Sequence, residues 1–231
     1  FYAQAPVCSP SRFSCYTGRH PFRSGIWGAN GGGLRYEEIT LAEVLKENGY
    51  TTGHFGKWHM GHMVNDPKLG KGSHMLESNP HKNGIDEYFA VHTSIPTWNP
   101  YGEKGGKAVD SSNPYYHNGK RVTENVAGDS SRIMMDRAIP FMQRAIAAKK
   151  PFMSYIWFNT PHAPIAGNPV WQSIFEKSVG KNWKYYSSIA DMDKQIGRLR
   201  SELRKMNIAD NTLIFFTSDN GPTKSGTAGR L

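Results

Sequence analysis

The chain has 231 residues, 38% of them hydrophobic, and its 28 Lys and Arg outnumber 19 Asp and Glu to give a formal net charge of +9. That length suffices for one sizeable α/β domain with its own core. The longest apolar run, Phe152 to Phe158, is strand-sized and well short of the roughly 18 residues of a membrane span. The basic balance favours anionic partners, but no long Lys/Arg run or nucleic-acid motif accompanies it, so no nucleic acid is expected as a partner. Two cysteines make no disulfide framework.

Phe1 to Val7 read as the tail of an incoming strand and loop, so the chain is expected to be a fragment. Val7-Cys8-Ser9-Pro10-Ser11-Arg12 follows, then Thr17-Gly18-Arg19. Pro10 suits the first turn of a helix and Ser9 the cap before it. Cys8 is thereby placed at a helix N-terminus, where free N–H groups and the macrodipole favour an anion. Arg12 lies one turn on, within reach of Cys8, and Gly18 is placed to end the helix. A disulfide between Cys8 and Cys15 is disfavoured, because seven helical residues separate them by about 10 Å. A small buried thiol and a protease-like thiolate remain open readings of Cys8.

His20 to Leu34 is a glycine-rich loop. Thr40 is expected to cap a helix from Leu41 to Asn48 with Leu41, Val44 and Leu45 on one face, ended by Gly49. Tyr50 to Phe55 reads as a strand leading into Gly56-Lys57-Trp58-His59-Met60-Gly61, and functional residues collect just beyond such strand ends. Gly56-Lys57 lacks the upstream glycine and the following Ser/Thr of a phosphate loop. His54, His59 and His62 lack the helical spacing and companion ligands of a zinc site.

Asn65 to Asn125 is polar, with weak periodicity, and reads as a long irregular insertion over about residues 62–127. It is expected to form a substrate rim, with Ser94, Trp98 and His92 as candidate leaving-group contacts and loop packing as the other reading of each. Asp129 caps a helix to about Ala148, with an apolar stripe of Ile133, Met134, Ile139, Met142 and Ile146 and a bend at Pro140. Pro151 to Phe158 is near-continuously apolar, as in a parallel strand covered on both faces, and ends in Asn159-Thr160-Pro161-His162-Ala163-Pro164. A histidine between two prolines is rigidly presented.

Trp183 to Met206 is strongly amphipathic, with Asp191 and Asp193 read as solvated or capping groups. The strand Thr212 to Thr217 then delivers Ser218-Asp219-Asn220-Gly221. A carboxylate and an amide oxygen there suit a hard cation, although D-N-G alone is equally a turn.

C-S-P-S-R followed by T-G-R resembles the sulfatase signature, G-K-W-H-M-G resembles that family's second motif, and His162 and Asp219-Asn220-Gly221 resemble two more in the same order. The resemblance covers nearly the whole chain. It implies an α/β fold of the alkaline-phosphatase-like sandwich type, with a mixed, largely parallel sheet between helices, truncated at both ends. The implied activity is sulfuric ester hydrolysis of a small-molecule or oligosaccharide sulfate monoester. Cys8 is the implied precursor of formylglycine, made by a formylglycine-generating or radical maturase, whose hydrate is the nucleophile.

Further roles are carried over from the family. Arg12 holds the formylglycine. Lys57 and His59 contact the sulfate and the formylglycine, and His59 takes the proton from the second hydroxyl. His162 donates a proton to the ester oxygen. Cys8, Asp219 and Asn220 ligate Ca2+, with Mg2+ the alternative, and Asp219 also serves as base. Lys57, His162 and Ser94 form the substrate-binding set. The family's metal site also uses two aspartates upstream of the cysteine, and a further lysine follows D-N-G at a distance; Lys224 stands too close for that role. The 231-residue chain is therefore expected to bind metal poorly on its own. A periplasmic or secreted location is implied in the same way. Rival readings are a phosphonate or phosphate ester hydrolase of the same superfamily, an unmatured glycan-binding relative, and a cysteine hydrolase.

Overall fold

Side chains alternate across the strands, and this builds two cores on the two faces of one sheet. The computed structural model describes residues 2–64, 74–104, 107–108, 113–222 and 226. Its principal sheet has five strands: β1 (Thr51–Lys57), β2 (Glu87–Val91), β3 (Tyr116–His117), β4 (Lys120–Arg121) and β5 (Phe152–Trp157). Their order is β4-β3-β2-β1-β5. β1 lies parallel to both β2 and β5, while β3 and β4 join antiparallel on the far side. The sheet is thus mixed and largely parallel, flanked by helices, as expected.

Helix α1 (Cys8–Thr17) covers one face, where Phe13 and Tyr16 pack with Trp58, Tyr88, Ala90 and Tyr155. Helix α2 (Leu41–Glu47) starts at a reciprocal capping box. Thr40 Oγ1 accepts from the Glu43 N–H at 3.1 Å, and Glu43 Oε2 accepts from the Thr40 N–H at 2.8 Å. Such a cap contributes about 1 kcal/mol. The face expected to be apolar does not turn inward: Leu41 and Val44 are exposed and Ala42 is the buried residue.

Helix α3 (Ser130–Ala147) covers the opposite face, where Ile133, Met134 and Phe141 meet Phe55, Phe89 and Val91. Asp129 caps it, accepting from the N–H groups of Ser131 and Arg132 at 2.8 and 2.9 Å. Pro140 sits inside α3 and the helix runs on through it. Helices α4 (Gln172–Val179) and α5 (Trp183–Lys205) complete the layer, with Arg198 of α5 donating to Asp136 of α3 at 2.6 Å.

Four expectations need correction. The stretch read as irregular supplies β2, β3 and β4, and β2 pairs directly with β1. Asp191 is not solvated: it is 6% exposed and accepts from Trp171 Nε1 at 2.7 Å and Asn168 Nδ2 at 3.1 Å. Asp193 is exposed, as read. The strand expected over residues 212–217 has no ladder partner among the described residues. Its side chains lie open, Leu213 at 79% and Phe215 at 81% exposure, because apolar period alone makes no strand without a neighbour to hydrogen-bond. β5, read as covered on both faces, is half-buried along most of its length.

Candidate active site

Lys57 is the last residue of β1, and its position depends on the glycine before it. Gly56 has φ +119°, and a Cβ there would lie 2.0 Å from the Trp157 carbonyl oxygen of β5. Only glycine permits that approach. Beyond Lys57 the chain stays tied to the end of β2, with Trp58 N–H on Val91 O and His59 N–H on His92 O, each at 2.9 Å. His59 takes the left-handed conformation, φ 53°.

Helix α1 begins one residue earlier than the cap expected from sequence. Val7 is the N-cap, with no side-chain cap bond, and Cys8 is the first helical residue. Ser9 is inside the helix, and its buried Oγ has no hydrogen-bond partner among the described residues. Ser11 Oγ donates to Ala5 O at 2.7 Å and so ties down the entering chain. Cys8 still stands in the first turn, where unsatisfied N–H groups favour negative charge. Gly18 ends α1 at φ 66° with its N–H on Ser14 O, as expected. Cys8 and Cys15 are both free thiols.

The two elements meet at Cys8. Lys57 Nζ donates to Cys8 Sγ at 3.4 Å and to Ser94 Oγ at 3.2 Å, and Lys57 is only 1% exposed. Burial, followed by the charge of Arg12, lowers the Lys57 pKa, with Cys8 and Asp219 opposing. Burial pushes the Cys8 thiol up, but the hydrogen bond with His162 and the charges of Lys57 and Arg12 outweigh it, so the thiol lies below its ordinary value. The Cys15 thiol is shifted up by desolvation, against the charge of Arg12.

Arg12 makes no hydrogen bond to Cys8. Its Nη1 donates to Lys57 O at 3.2 Å and its Nη2 to Asp219 Oδ2 at 2.9 Å, with the guanidinium 4.7 Å from the Trp157 ring centroid. One buried fork therefore joins α1, the end of β1 and the D-N-G segment. Asn220 Nδ2 donates to Gly221 O at 3.0 Å, while its Oδ1 is buried without a partner among the described residues.

His162 follows the bend at Asn159, whose carbonyl accepts the His162 N–H at 2.8 Å. Its Nδ1 donates to Ala163 O at 2.5 Å, leaving Nε2 to face Ser94 Oγ at 3.5 Å and the Cys8 sulfur. The hydrogen bond with Cys8 raises the His162 pKa against the opposing effect of burial. His59 moves the other way: burial, then the charges of Lys57 and Arg12, pull it down to about 2. Opposed shifts in neighbouring groups are how acid and base roles are separated.

The structure thus gathers Cys8, Arg12, Lys57, Ser94, His162 and Asp219, with Asn220 beside them, and it places His59 two residues beyond Lys57 and under the influence of its charge. Of the other two rim candidates, His92 is buried, accepting from the Met63 N–H at 3.4 Å, and Trp98 pairs in a bridge with Asp129. His54, His59 and His62 share no centre, and among the described residues no group of three His, Cys, Asp or Glu side chains could hold a metal ion. Lys224 lies outside the described residues. Sequence reasoning missed Asn30, whose Oδ1 is 2.7 Å from His59 Nε2, and the Tyr16–His54 pair behind Lys57. Neither belongs to a spacing pattern, so no sequence signal exposes them.

The family profile for sulfatases matches residues 1–230. The chain belongs to the sulfatase family. It is 28% identical to the N-acetylgalactosamine-6-sulfatase of Canis lupus familiaris over 253 residues, covering 99% of this chain and 45% of that protein. It is 32% identical to human (Homo sapiens) arylsulfatase G over 247 residues, covering 96% of this chain and 44% of that protein. Among solved structures it resembles Ps i-CgsB in complex with k-i-k-neocarrahexaose, with a TM-score of 0.72, 28% identity, and coverage of 91% of this chain and 47% of that one. This sulfatase chain therefore spans less than half the length of the relatives named here. No described helix is long and apolar enough to cross a membrane.

Proposed function

We propose that this chain forms the nucleophile side of a sulfuric ester hydrolase that removes sulfate monoesters from carbohydrates. The observation that carries the proposal is the position of Cys8 at the first turn of α1, 3.4 Å from the Lys57 ammonium, which with His162 also meets Ser94. The substrate class follows the relatives, two of which are named for N-acetylgalactosamine-6-sulfate chemistry and for a complex with a neocarrahexaose.

Converted to formylglycine by a maturase, Cys8 would supply a hydrated aldehyde, with two hydroxyls, as the nucleophile toward sulfur. The remaining work falls to the side chains around it. Lys57 and Arg12 neutralise charge on the sulfuryl oxygens in a buried setting, where fixed cations act most strongly. Ser94 and Lys57 together orient the ester, with Ser94 bridging Lys57 and His162. His162 holds its Nδ1 proton on Ala163 O, so Nε2 is the atom that donates to the leaving alkoxide. His59, kept neutral, accepts the proton from the second hydroxyl. Arg12 Nη2 holds the Asp219 side chain in place, where Asp219 serves as base.

The donors for a divalent cation are the Asp219 carboxylate, the unpartnered Asn220 Oδ1 and an oxygen derived from Cys8, a hard set that suits Ca2+ or Mg2+. When bound, such a cation supplies charge neutralisation at the sulfate oxygens. A periplasmic or secreted location fits polymeric sulfated substrates.

The test is the complete protein, matured and assayed against a galactosamine-6-sulfate oligosaccharide, an aryl sulfate and an aryl phosphonate. Release of sulfate with little phosphonate cleavage is expected. A strong phosphonate preference, or no turnover together with tight glycan binding and an intact Cys8 thiol, overturns the reading.

A further inference from the structure

Asn30 lies in the glycine-rich loop after α1, outside the motifs in which sequence reading concentrates the chemistry and 29 positions from His59, yet its side chain reaches that ring. Asn30 Oδ1 stands 2.7 Å from His59 Nε2. An amide oxygen can only accept, so Nε2 is the nitrogen that carries hydrogen. A neutral imidazole protonated at Nε2 is bare at Nδ1. In His59, which is 4% exposed, Nδ1 is buried and has no hydrogen-bond partner among the described residues.

We propose that Asn30 is a positioning residue that fixes the tautomer of His59, holding the ring proton on Nε2 so that the buried Nδ1 is an open proton acceptor. This rests on the reading of His59 as the acceptor in sulfate release.

The surroundings make a single neutral tautomer the state to be fixed. Lys57, Arg12, His162 and His92 all act against a second proton on the ring. The ring is held from its backbone as well, by the His59 N–H on His92 O at 2.9 Å. Asn30 has φ 63°, in the left-handed region that asparagine tolerates better than most side-chain-bearing residues. The loop that carries it is anchored beside the site, since the Leu34 N–H donates to Met60 O at 2.8 Å. An amide, unlike a carboxylate, orients the imidazole without drawing a second proton onto it.

Two variants separate the side chain from the backbone. Asn30→Gly keeps the left-handed backbone at no cost and deletes the amide, whereas Asn30→Asp keeps an acceptor. Long-range 1H–15N correlation spectra of histidine-labelled protein, with the His59 signals assigned by their loss in His59→Gln, read the tautomer directly. The expected result is a protonated Nε2 and a pyridine-type Nδ1 in the wild type and in Asn30→Asp, with a mixture of tautomers in Asn30→Gly. In the matured complete protein, Asn30→Gly should lower kcat by about ten- to a hundred-fold with little change in KM, within what a positioned base supplies. Asn30→Asp should recover part of kcat while its acidic pH limb moves upward, because a carboxylate favours the imidazolium. A wild-type His59 protonated on Nδ1, or an Asn30→Gly spectrum identical to wild type, overturns the proposal. If the tautomer result holds but no sulfate ester is turned over, the positioning stands and the functional reading of the site fails.

Discussion

Lys57 and Cys8, 49 positions apart in sequence, meet with ammonium and sulfur 3.4 Å apart at the junction of β1 and α1. A buried ammonium is tolerated only when partnered, and here its partners are the Cys8 sulfur and Ser94. In the unconverted protein this predicts unequal thiols. Cys8 should be alkylated with an apparent pKa below the ordinary thiol value, and Cys15 with one above it. Lys57→Met should shift the Cys8 profile upward and leave Cys15 unchanged. Peptide mapping after iodoacetamide treatment at a series of pH values checks this.

Arg12 is the joint between helix α1 and the D-N-G segment. Arg12→Ala removes one of the two donors to the Lys57 carbonyl, which keeps His54 Nε2, and the donor to the part-exposed Asp219 carboxylate, a loss of about 1 kcal/mol. Arg12→Lys keeps the charge but not the fork, so it should restore only part of the stability. Urea unfolding of the three proteins gives the comparison, and equal midpoints for all of them would contradict it.

His162 and Cys8 titrate as a pair. The sulfur is the main reason the imidazolium is favoured, so the His162 midpoint in the thiol form should lie above 6.5. In Cys8→Ala it should fall, because burial then acts with less opposition. An NMR titration of the His162 ring reads both midpoints.

His54 is fully buried between Tyr16 OH, at 2.7 Å, and Lys57 O, at 3.2 Å, and burial holds its pKa down to about 3. A depressed histidine contributes stability that is present above about 6.5 and is lost as pH falls toward 3, because the unfolded chain takes up the proton first. Asp129 has the opposite sense. Burial raises it to about 6 despite its two N–H donors, so its contribution is lost as pH rises from about 4 through 6. Thermal melts should therefore fall on the acid side, with a shallower slope in His54→Gln. Asp129→Asn should steepen that acid-side decline between about pH 4 and 6, because the raised Asp129 gains stability as pH falls there and so opposes it.

Gly56→Ala tests the register that delivers Lys57. The added methyl meets the Trp157 carbonyl at 2.0 Å, backbone against backbone, and the left-handed φ adds strain. A loss of more than about 1 kcal/mol is expected, together with loss of the Lys57–Cys8 contact.

Much of this was legible before any coordinates. Periodicity and caps placed α3 and α5 within a residue or two, and the C-S-P-S-R and G-K-W-H motifs pointed to Cys8, Arg12, Lys57 and His59. β2 was missed because Glu87–Val91 is short and sits in polar surroundings, and only its pairing with β1 identifies it. The opposite error, the strand over residues 212–217, came from reading an apolar run as pairing; exposed side chains there show that a ladder partner is the missing term. Ser9 reads as the cap on side-chain chemistry, but Val7 takes that place, and Ser11 bonding back to Ala5 holds the entering chain instead. Asn30 was invisible because a loop residue's partner is set by tertiary approach.

The most direct test of the central claim is inorganic sulfate released from a galactosamine-6-sulfate oligosaccharide by the complete protein co-expressed with a formylglycine-forming maturase, with Cys8 intact or replaced by Ala. The account predicts steady release by the Cys8 protein, whose Cys8 peptide carries the aldehyde mass, and none above background by Cys8→Ala. Equal release by the two proteins, or full activity from a protein whose Cys8 remains a thiol, would contradict it.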